Sequence, residues 1–474
     1  MSSLTSDPTM ISIRRRLAAA VDGRIITPGD AAYDGARSIF YGGFDRRPAV
    51  IVRPTDASDV SQVVSLARET GLELAVRSGG HSLAGHSTTD GGIVLDLADM
   101  SALEIDPEQR TAWAQTGLTA GAYTTAAGTY GLATGFGDTG SVGIGGITLG
   151  GGIGYLVRKH GLTIDDLLAA ELVTADGRLL HVDDQTHPEL FWAIRGGGGN
   201  FGVATRFQYR LHPVSTIVGG LLILPATPQV LAGFVAQADA APEELSTIAN
   251  VMPAPPLPFL PAEHHGRLII MATLAYAGEV EAGERAVAPL RALATPLADL
   301  VRPMPYPEIY PPEEEGYHPT AVGHNMFIDT VDEQVARTIL EYLRASTAPL
   351  SVAQLRVLGG AMARVPAEAT AFAHRTSRLM AHVAAVYQRP EEAAEHRAWV
   401  DRLAAALHDG DGDARAYVNF IADEGQARVH DAYPEPTWER LAAVKARYDP
   451  DNLFHLNQNI PPTGGLAAPQ RAAV

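Results

Sequence analysis

Apolar residues in the first part of the chain alternate between strand-like runs and helical spacing. The run 49–52 is continuous and ends before Pro54, as a buried strand does. A helix is predicted from Asp56 or Ser58, either of which can cap it, to Gly71, because the apolar residues between them recur every three or four positions. Further strands are predicted at 72–76, 93–95, 111–115, 167–174, 179–182 and 203–211, and helices at 119–130 and 187–194.

The pattern changes after about residue 215, where strands and alanine-rich helices alternate with long proline-rich loops at 253–261 and 303–312. Later elements are predicted as strands at 378–388 and 416–420, a helix at 438–447 and an extended segment at 453–462. We therefore predict an α+β protein with a first domain of residues 1–215 (core 45–215), a second of 216–410, a C-terminal segment of 411–462 and a disordered tail of 463–474.

Composition restricts the class of partner. Hydrophobic residues make up 46% and charged residues 19% of the 474 residues, as in soluble globular proteins. The net charge of −18 gives no electrostatic support for binding nucleic acid or an anionic membrane.

No apolar run reaches the roughly 20 residues that span a bilayer. The segment SIRRRLAAAV is interpreted as a short helix rather than an export signal, so we expect a cytoplasmic protein. Lysine is scarce in the whole chain, which is typical of proteins from a GC-rich bacterial genome.

Metal chemistry has no support in the sequence. The chain has no cysteine, which excludes disulfides, thiolate metal sites and cysteinyl cofactor links, and no H-E-x-x-H motif occurs. The acidic string 409–413 lacks the glycine and the final acid of a calcium loop, because Ala414 and Phe420 stand there, and a solvated turn is predicted. We expect no metal.

Two glycine-rich segments are the main chemical signal. The first is RSGGHS at 77–82, and the second runs over 135–154. Because glycine weakens helices and strands, this density needs a compensating reason. Close approach of the backbone to a large anionic cofactor, with N–H groups directed at phosphate, supplies one.

A Rossmann site is excluded by context. The pattern G-x-G-x-x-G occurs at 135–140 and at 197–202, but neither match is followed by an acidic residue in the usual position. Gly197 also follows a helix and precedes a strand, the reverse of the order that this motif requires.

Four motifs in the correct order resemble the berberine-bridge-enzyme-like branch of the vanillyl-alcohol-oxidase type of FAD-linked oxidases. They are RSGGHS at 77–82, GxGGxTLGGGxGxLxRKHGLxxDxLL at 143–168, PELFWAIRGGGGNFGV at 188–203, and the C-terminal pair AYVNF at 416–420 and RYDPDNLFHLNQNIPP at 447–462. The resemblance implies a two-subdomain PCMH-type FAD-binding domain, to which the segment 411–462 returns. It also implies an α+β substrate domain whose antiparallel sheet lies over the flavin.

The resemblance further assigns cofactor contacts, mostly in the glycine loops. They are Arg77, Ser78, Gly79, Gly80, His81, Ser82, Gly85, His86, Gly137, Thr139, Gly140, Val142, Gly143, Gly145, Gly146, Gly150, Gly152, Gly154, Gly199, Gly202, Val203, Tyr417, Asn419, Asn457 and Asn459.

His81 stands where the family joins a histidine nitrogen to the flavin, which requires a neutral imidazole nucleophile. The alternative is a loop histidine that only hydrogen-bonds. Many relatives add a second link through a cysteine at the position of Thr139, so the resemblance implies attachment through His81 only. Ile147 replaces a frequent histidine, which removes one polar cofactor contact.

Three residues are predicted to be catalytic: Tyr417, Asn419 and His382. Tyr417 matches the family tyrosine that often acts as the base. In that reaction flavin N5 accepts a hydride from an alcohol or amine carbon. The alternative is a tyrosine that only packs and orients the substrate. Asn419 would hold the phenol or reach the flavin. His382 is the only titratable group near the middle of its strand, and a satisfied core histidine is the competing interpretation.

The resemblance places Val142 near the C4a edge of the flavin, where its side chain is small enough to admit O2. This favours an oxidase that releases hydrogen peroxide, acting on a small-molecule substrate such as a sugar or secondary metabolite. A dehydrogenase with another acceptor and a flavoprotein without turnover stay open.

Overall fold

The computed structural model describes residues 8–310, 316–408 and 414–463. The predicted tail of 463–474, apart from Thr463, and the acidic turn at 409–413 lie outside these residues. Helices and strands are numbered in chain order below, and they confirm the predicted α+β class. None of the helices in the described ranges is long and apolar enough to cross a membrane.

The first layer is a four-stranded sheet in the order β1-β2-β4-β3, with β2, β4 and β3 parallel. Its elements are β1 Arg24–Ile26, β2 Val50–Arg53, β3 Leu74–Arg77, β4 Ile93–Asp96, α1 Pro8–Ala20, α2 Tyr33–Arg37 and α3 Ala57–Thr70. Of the two predicted caps of helix α3, Asp56 is the one used: its carboxylate accepts from two backbone N–H groups. Gly71 caps the other end as predicted, with φ of 67°. The RSGGHS segment begins at the end of β3, at an edge of this sheet.

The second layer is an antiparallel sheet in the order β5-β6-β10-β8-β9. Its strands, with the small pair β7 and β11, are β5 Leu103–Asp106, β6 Thr111–Gln115, β7 Leu132–Ala133, β8 Leu167–Val173, β9 Leu179–Asp183, β10 Val203–Arg210 and β11 His212–Pro213. Its helices are α4 Ala120–Gly128, α5 Ile144–Leu149, α6 Val157–His160 and α7 Pro188–Ile194, joined by α13 Gln426–His430 and α14 Glu435–Tyr448 from the C-terminal segment. C-terminal residues such as Val418, Tyr433 and Leu441 complete its core.

The third layer is an eight-stranded antiparallel sheet in the order β15-β12-β14-β13-β18-β19-β17, with β16 beside β12. Its strands are β12 Thr216–Pro225, β13 Leu245–Pro253, β14 Leu268–Tyr276, β15 Ala298–Asp299, β16 Arg302–Pro305, β17 Thr320–Ile328, β18 Leu350–Val357 and β19 Leu379–Tyr387. Its helices are α8 Pro228–Ala240, α9 Val280–Arg291, α10 Glu333–Arg344, α11 Ala361–Arg364 and α12 Ala393–Leu407. One sheet face packs apolar residues such as Leu355 and Val383 against helices, which leaves the other face for the site.

The predicted strand 416–420 is wrong. Tyr417 is extended, but a 3-10 turn covers Val418–Phe420. The Tyr417 N–H donates to the Asn325 side chain at 2.7 Å, and the Phe420 N–H donates back to the Tyr417 carbonyl at 3.0 Å. Because its backbone groups are used in this way, the segment forms no strand ladder.

Candidate active site

A cavity of about 420 Å³ lies where the three layers meet. Its walls combine the ends of the first layer, the glycine loops of the second and the open face of the eight-stranded sheet. The predicted site residues that line it are Ser78, Gly79, Gly80, His81, Ser82, His86, Gly137, Thr139, Val142, Gly143, Gly145, Gly146, Gly199, Gly202, Val203, His382, Tyr417, Asn419 and Asn457.

The two glycine segments touch each other backbone to backbone. A Cβ atom on Gly79 would lie 2.2 Å from the nitrogen of Gly143, and one on Gly143 would lie 2.1 Å from the nitrogen of Gly79. Gly146 and Gly199 differ, because a Cβ on either would meet no protein atom within 4 Å. Protein packing therefore does not explain why these positions are glycine. Because both residues face the cavity, close approach of a bound molecule explains it.

His81 is oriented from two sides. Its Nε2 atom is 2.9 Å from the hydroxyl of Ser141, and its ring stacks on Phe40 with centroids 4.0 Å apart and planes 20° apart. The backbone turns just before it at Gly80, whose φ is 74°. The imidazole is therefore held in one plane at the cavity wall.

Three N–H groups point at the phenolic oxygen of Tyr417. They belong to the backbone of Gly152 at 2.9 Å, the backbone of Ile153 at 3.3 Å and the side chain of Asn419 at 2.9 Å. The Asn419 amide nitrogen also donates to the Ile147 carbonyl at 3.0 Å, which fixes the orientation of this amide. Burial raises the pKa of Tyr417, while the bonds from Asn419 and Gly152 and the positive charge of Arg356 act to lower it.

His382 lies on β19, opposite Gln354 of β18 and Asn325 of β17, so these side chains share the cavity-facing side of the sheet. Its Nε2 atom is buried and has no hydrogen-bond partner among the described residues. A Cβ on Gly323 would approach that nitrogen to 2.6 Å, so glycine is needed there to leave space for the ring. Burial, with the charge of Arg356, lowers the pKa of His382 to about 4, and the imidazole is neutral at pH 7.

An ion pair that the sequence motifs did not reveal joins two residues of the cavity wall. Asp138, in the second glycine segment, accepts from Arg356 of β18 at 2.6 Å. The Arg356 side chain, which is only 3% exposed, also donates to the Ile153 carbonyl at 2.8 Å and to Gln354 at 2.9 Å. Its guanidinium lies 4.9 Å from the centre of the Phe420 ring. The arginine therefore contacts the same Ile153 peptide segment whose N–H reaches Tyr417.

One part of the cavity wall is apolar. Its lining there includes Leu74, Val76, Leu97 and Phe454, which suit a flat, uncharged ring. Asn457 also lines the cavity, and its side-chain oxygen is buried without a partner among the residues described. Such an orphaned acceptor in a cavity wall fits a donor group on a bound cofactor.

The comparisons agree with this geometry. Residues 48–183 match the family model described as an FAD binding domain, and residues 416–461 match the model described as berberine and berberine like. An (R)-6-hydroxynicotine oxidase of Paenarthrobacter nicotinovorans is 30% identical over 457 residues, which cover 94% of this chain and 98% of that protein. The chain belongs to the berberine-bridge-enzyme-like family of FAD-linked oxidoreductases.

A further relative and a solved structure support this. An FAD-linked oxidoreductase of Bacillus subtilis, YvdP, is 31% identical over 457 residues, covering 93% of this chain and 98% of its own. The crystal structure of 6-hydroxy-D-nicotine oxidase from Arthrobacter nicotinovorans has a TM-score of 0.81 at 28% identity and covers 93% of this chain and 98% of that one. The protein is therefore an enzyme whose cofactor is FAD, and the prediction of an oxidase is supported.

The cavity of this berberine-bridge-enzyme-like protein fits FAD. The open Cβ positions of Gly146 and Gly199 leave backbone accessible to a diphosphate, and the apolar lining residues suit a heteroaromatic ring. His81 lies in the same wall at the loop junction.

Some predicted contacts do not reach the cavity. Arg77 and Gly140 line a neighbouring cavity instead, and the Arg77 guanidinium is buried against Asp96 at 2.9 Å. The others outside the cavity lining are Gly85, Gly150, Gly152, Gly154 and Asn459.

Packing explains those glycines. A Cβ atom on Gly85 would lie 2.5 Å from the Phe44 ring, and one on Gly150 would lie 2.0 Å from the Asn419 side chain. A Cβ atom on Gly152 would lie 1.9 Å from the Thr163 side chain, and one on Gly154 would lie 1.4 Å from the Phe136 carbonyl oxygen. These four positions are glycine because neighbouring protein atoms leave no room for a side chain. Gly152 also donates its backbone N–H to the Tyr417 oxygen.

Proposed function

We propose that this protein is an oxidase that removes a hydride from the carbon of an alcohol or an amine, with FAD attached through His81 only. The observation that carries the proposal is the set of three N–H donors on the Tyr417 oxygen, beside the glycine loops. Bound FAD supplies the hydride acceptor, and reoxidation by O2 yields hydrogen peroxide.

Tyr417 first loses its own proton to solvent through the cavity. As the phenolate it then takes the proton of the substrate O–H or N–H as the hydride leaves. Because three donors occupy the protein side of its oxygen, the hydrogen of the neutral phenol has to lie on the cavity side. The same donors stabilise the phenolate that accepts a substrate proton. Asn419 orients the phenol, and His382, as a neutral imidazole, orients the substrate from the sheet.

Val142 supports O2 as the second substrate. It lines the cavity and is only half-buried, and its side chain is small. An enzyme that uses another acceptor would pass through the same reductive step but would reoxidise slowly in air.

Anaerobic flavin bleaching by a panel of sugars, secondary alcohols and amines, followed by timed admission of air, tests the proposal. Tyr417→Phe should lower the reduction rate by about 100-fold or more, since proton transfer to a positioned base contributes that much. Tyr130→Phe is the matched control, because Tyr130 is 55% exposed on the surface. Unchanged reduction in Tyr417→Phe would show that Tyr417 only packs, and slow reoxidation of the wild type would favour the dehydrogenase.

The covalent link has a separate test. Acid-precipitated wild-type protein should keep its yellow colour, and His81→Ala should release all of its flavin into the supernatant. Free flavin from the wild type would refute the link.

A further inference from the structure

The contact between His81 and Ser141 follows from how the two glycine segments are packed. Gly79 and Gly143 approach so closely that neither position has room for a Cβ atom. On either side of Ser141, the carbonyls of Gly140 and Val142 accept from Gly121 and Ala120 in the first turn of α4, both at 2.8 Å. Ser141 is therefore presented to His81 by backbone that is held on both sides.

The His81 ring is held in plane as well as at one nitrogen. Phe40 covers one face, and the Phe40 N–H donates to the carbonyl of Gly80 at 3.2 Å, so the stacking residue is tied to the same loop. A hydroxyl at Nε2 and an aromatic ring on one face leave the imidazole little freedom to rotate.

We propose that Ser141 is the positioning residue for covalent flavin attachment, by accepting a hydrogen bond from the Nε2–H of neutral His81. This inference rests on the His81 link of the proposed function and adds a requirement to it. A proton held on Nε2 assigns the reacting lone pair to Nδ1, because neutral imidazole carries one N–H. The bond also stabilises the positive charge that the ring acquires as it attacks.

The attachment balances with O2 as the oxidant. A C–H bond of the flavin 8α-methyl group breaks, and its proton leaves to solvent. Nδ1 of His81 forms the new bond to that carbon, and the proton on Nε2 is then lost through Ser141 to solvent. The two electrons released reduce the isoalloxazine ring, and O2 removes them with two protons as hydrogen peroxide.

The test follows attachment rather than turnover. Full-length protein expressed under riboflavin limitation is mixed with FAD in air, and the covalent fraction is read over time from acid-precipitated samples and from intact mass. Ser141→Ala should slow attachment by about 10-fold to 100-fold, the range for losing one hydrogen bond to a charged group. Ser141→Thr keeps the hydroxyl and should restore most of the rate.

Ser38→Ala is the matched control, since its hydroxyl bonds to the Asp34 carbonyl and not to His81. Non-covalent FAD binding and the unfolding midpoint, measured for each variant, separate slow attachment from misfolding. Attachment at the wild-type rate in Ser141→Ala, or equal slowing in Ser141→Thr, would overturn the role of Ser141. Absence of covalent flavin in the wild type would instead refute the His81 link itself.

Discussion

At the scale of single residues, the chemistry depends on how a buried phenol is made able to accept a proton. Burial raises the pKa of Tyr417, so the side chain is neutral at pH 7 before substrate binds. Hydrogen bonds from Asn419 and Gly152 and the charge of Arg356 oppose the effect of burial. Arg356 is itself neutralised by Asp138 at 2.6 Å, so the two members of this bridge should act on Tyr417 in opposite directions.

We predict a shift of opposite sign for the two bridge variants. If Tyr417 acts as the phenolate, kcat/KM rises with pH through the Tyr417 pKa. Arg356→Gln removes a positive charge and should move that rise to higher pH by about one unit, whereas Asp138→Asn leaves Arg356 uncompensated and should move it to lower pH. Anaerobic stopped-flow reduction across pH measures both.

Arg356→Lys keeps the charge and is the control for the first variant. The double variant Asp138→Asn/Arg356→Gln controls for the loss of the bridge. Shifts in the same direction for both single variants would mean that the bridge acts on Tyr417 through packing and not through charge.

At the scale of elements, the C-terminal segment supplies part of the cavity wall. Lys445 of α14 is completely buried and bonds to Asp449 at 2.6 Å, to the Asn200 carbonyl at 2.8 Å and to the Phe454 carbonyl at 2.9 Å. Asp449 in turn accepts from the backbone N–H groups of Leu453 and Phe454. One ion pair thus joins α14, the loop before β10 and the segment that carries Phe454 and Asn457 into the cavity wall.

We predict that Lys445→Met destabilises the holoenzyme by about 3 kcal/mol, because it leaves a buried carboxylate without its partner. FAD binding should weaken as well, since Phe454 and Asn457 lose their anchor. Arg447→Met, on the same helix, removes a pair with Glu189 in which the arginine is 63% exposed, and should cost less than about 1 kcal/mol. Denaturant unfolding of both variants measures the difference, and equal losses would contradict it.

At the scale of the whole molecule, several histidines are buried in a neutral state. Burial lowers the pKa of His86, His374 and His382 to about 4. Their ordinary pKa in an unfolded chain is about 6.5. Between pH 6.5 and 4 the unfolded chain therefore binds protons that the native protein does not, and stability falls as the pH is lowered.

His374 gives a test of this acid sensitivity outside the cavity lining. We predict that His374→Gln reduces the pH dependence of the unfolding free energy between pH 6 and pH 4.5, by up to about 1.4 kcal/mol per pH unit. An unchanged slope in His374→Gln would mean that His374 is protonated in the native state.

Local signals predicted the elements that depend on local interactions. The Asp56 cap and Gly71 defined α3, and Pro188 marked the start of α7, because capping and proline geometry act within one turn. The strand predicted at 416–420 failed because its backbone bonds go to Asn325 and to its own turn, partners that strand propensity does not include.

The sequence by itself determined the family, the glycine loops and the motif positions of His81 and Tyr417, since each is written in a contiguous motif. Only the tertiary structure decided which glycines face the cofactor cavity and which are packed against protein atoms. It alone joined Asp138 to Arg356, 218 positions apart, and Ser141 to His81, 60 apart. These contacts depend on how separate layers pack, and a linear pattern carries no information about which residues meet across an interface between layers.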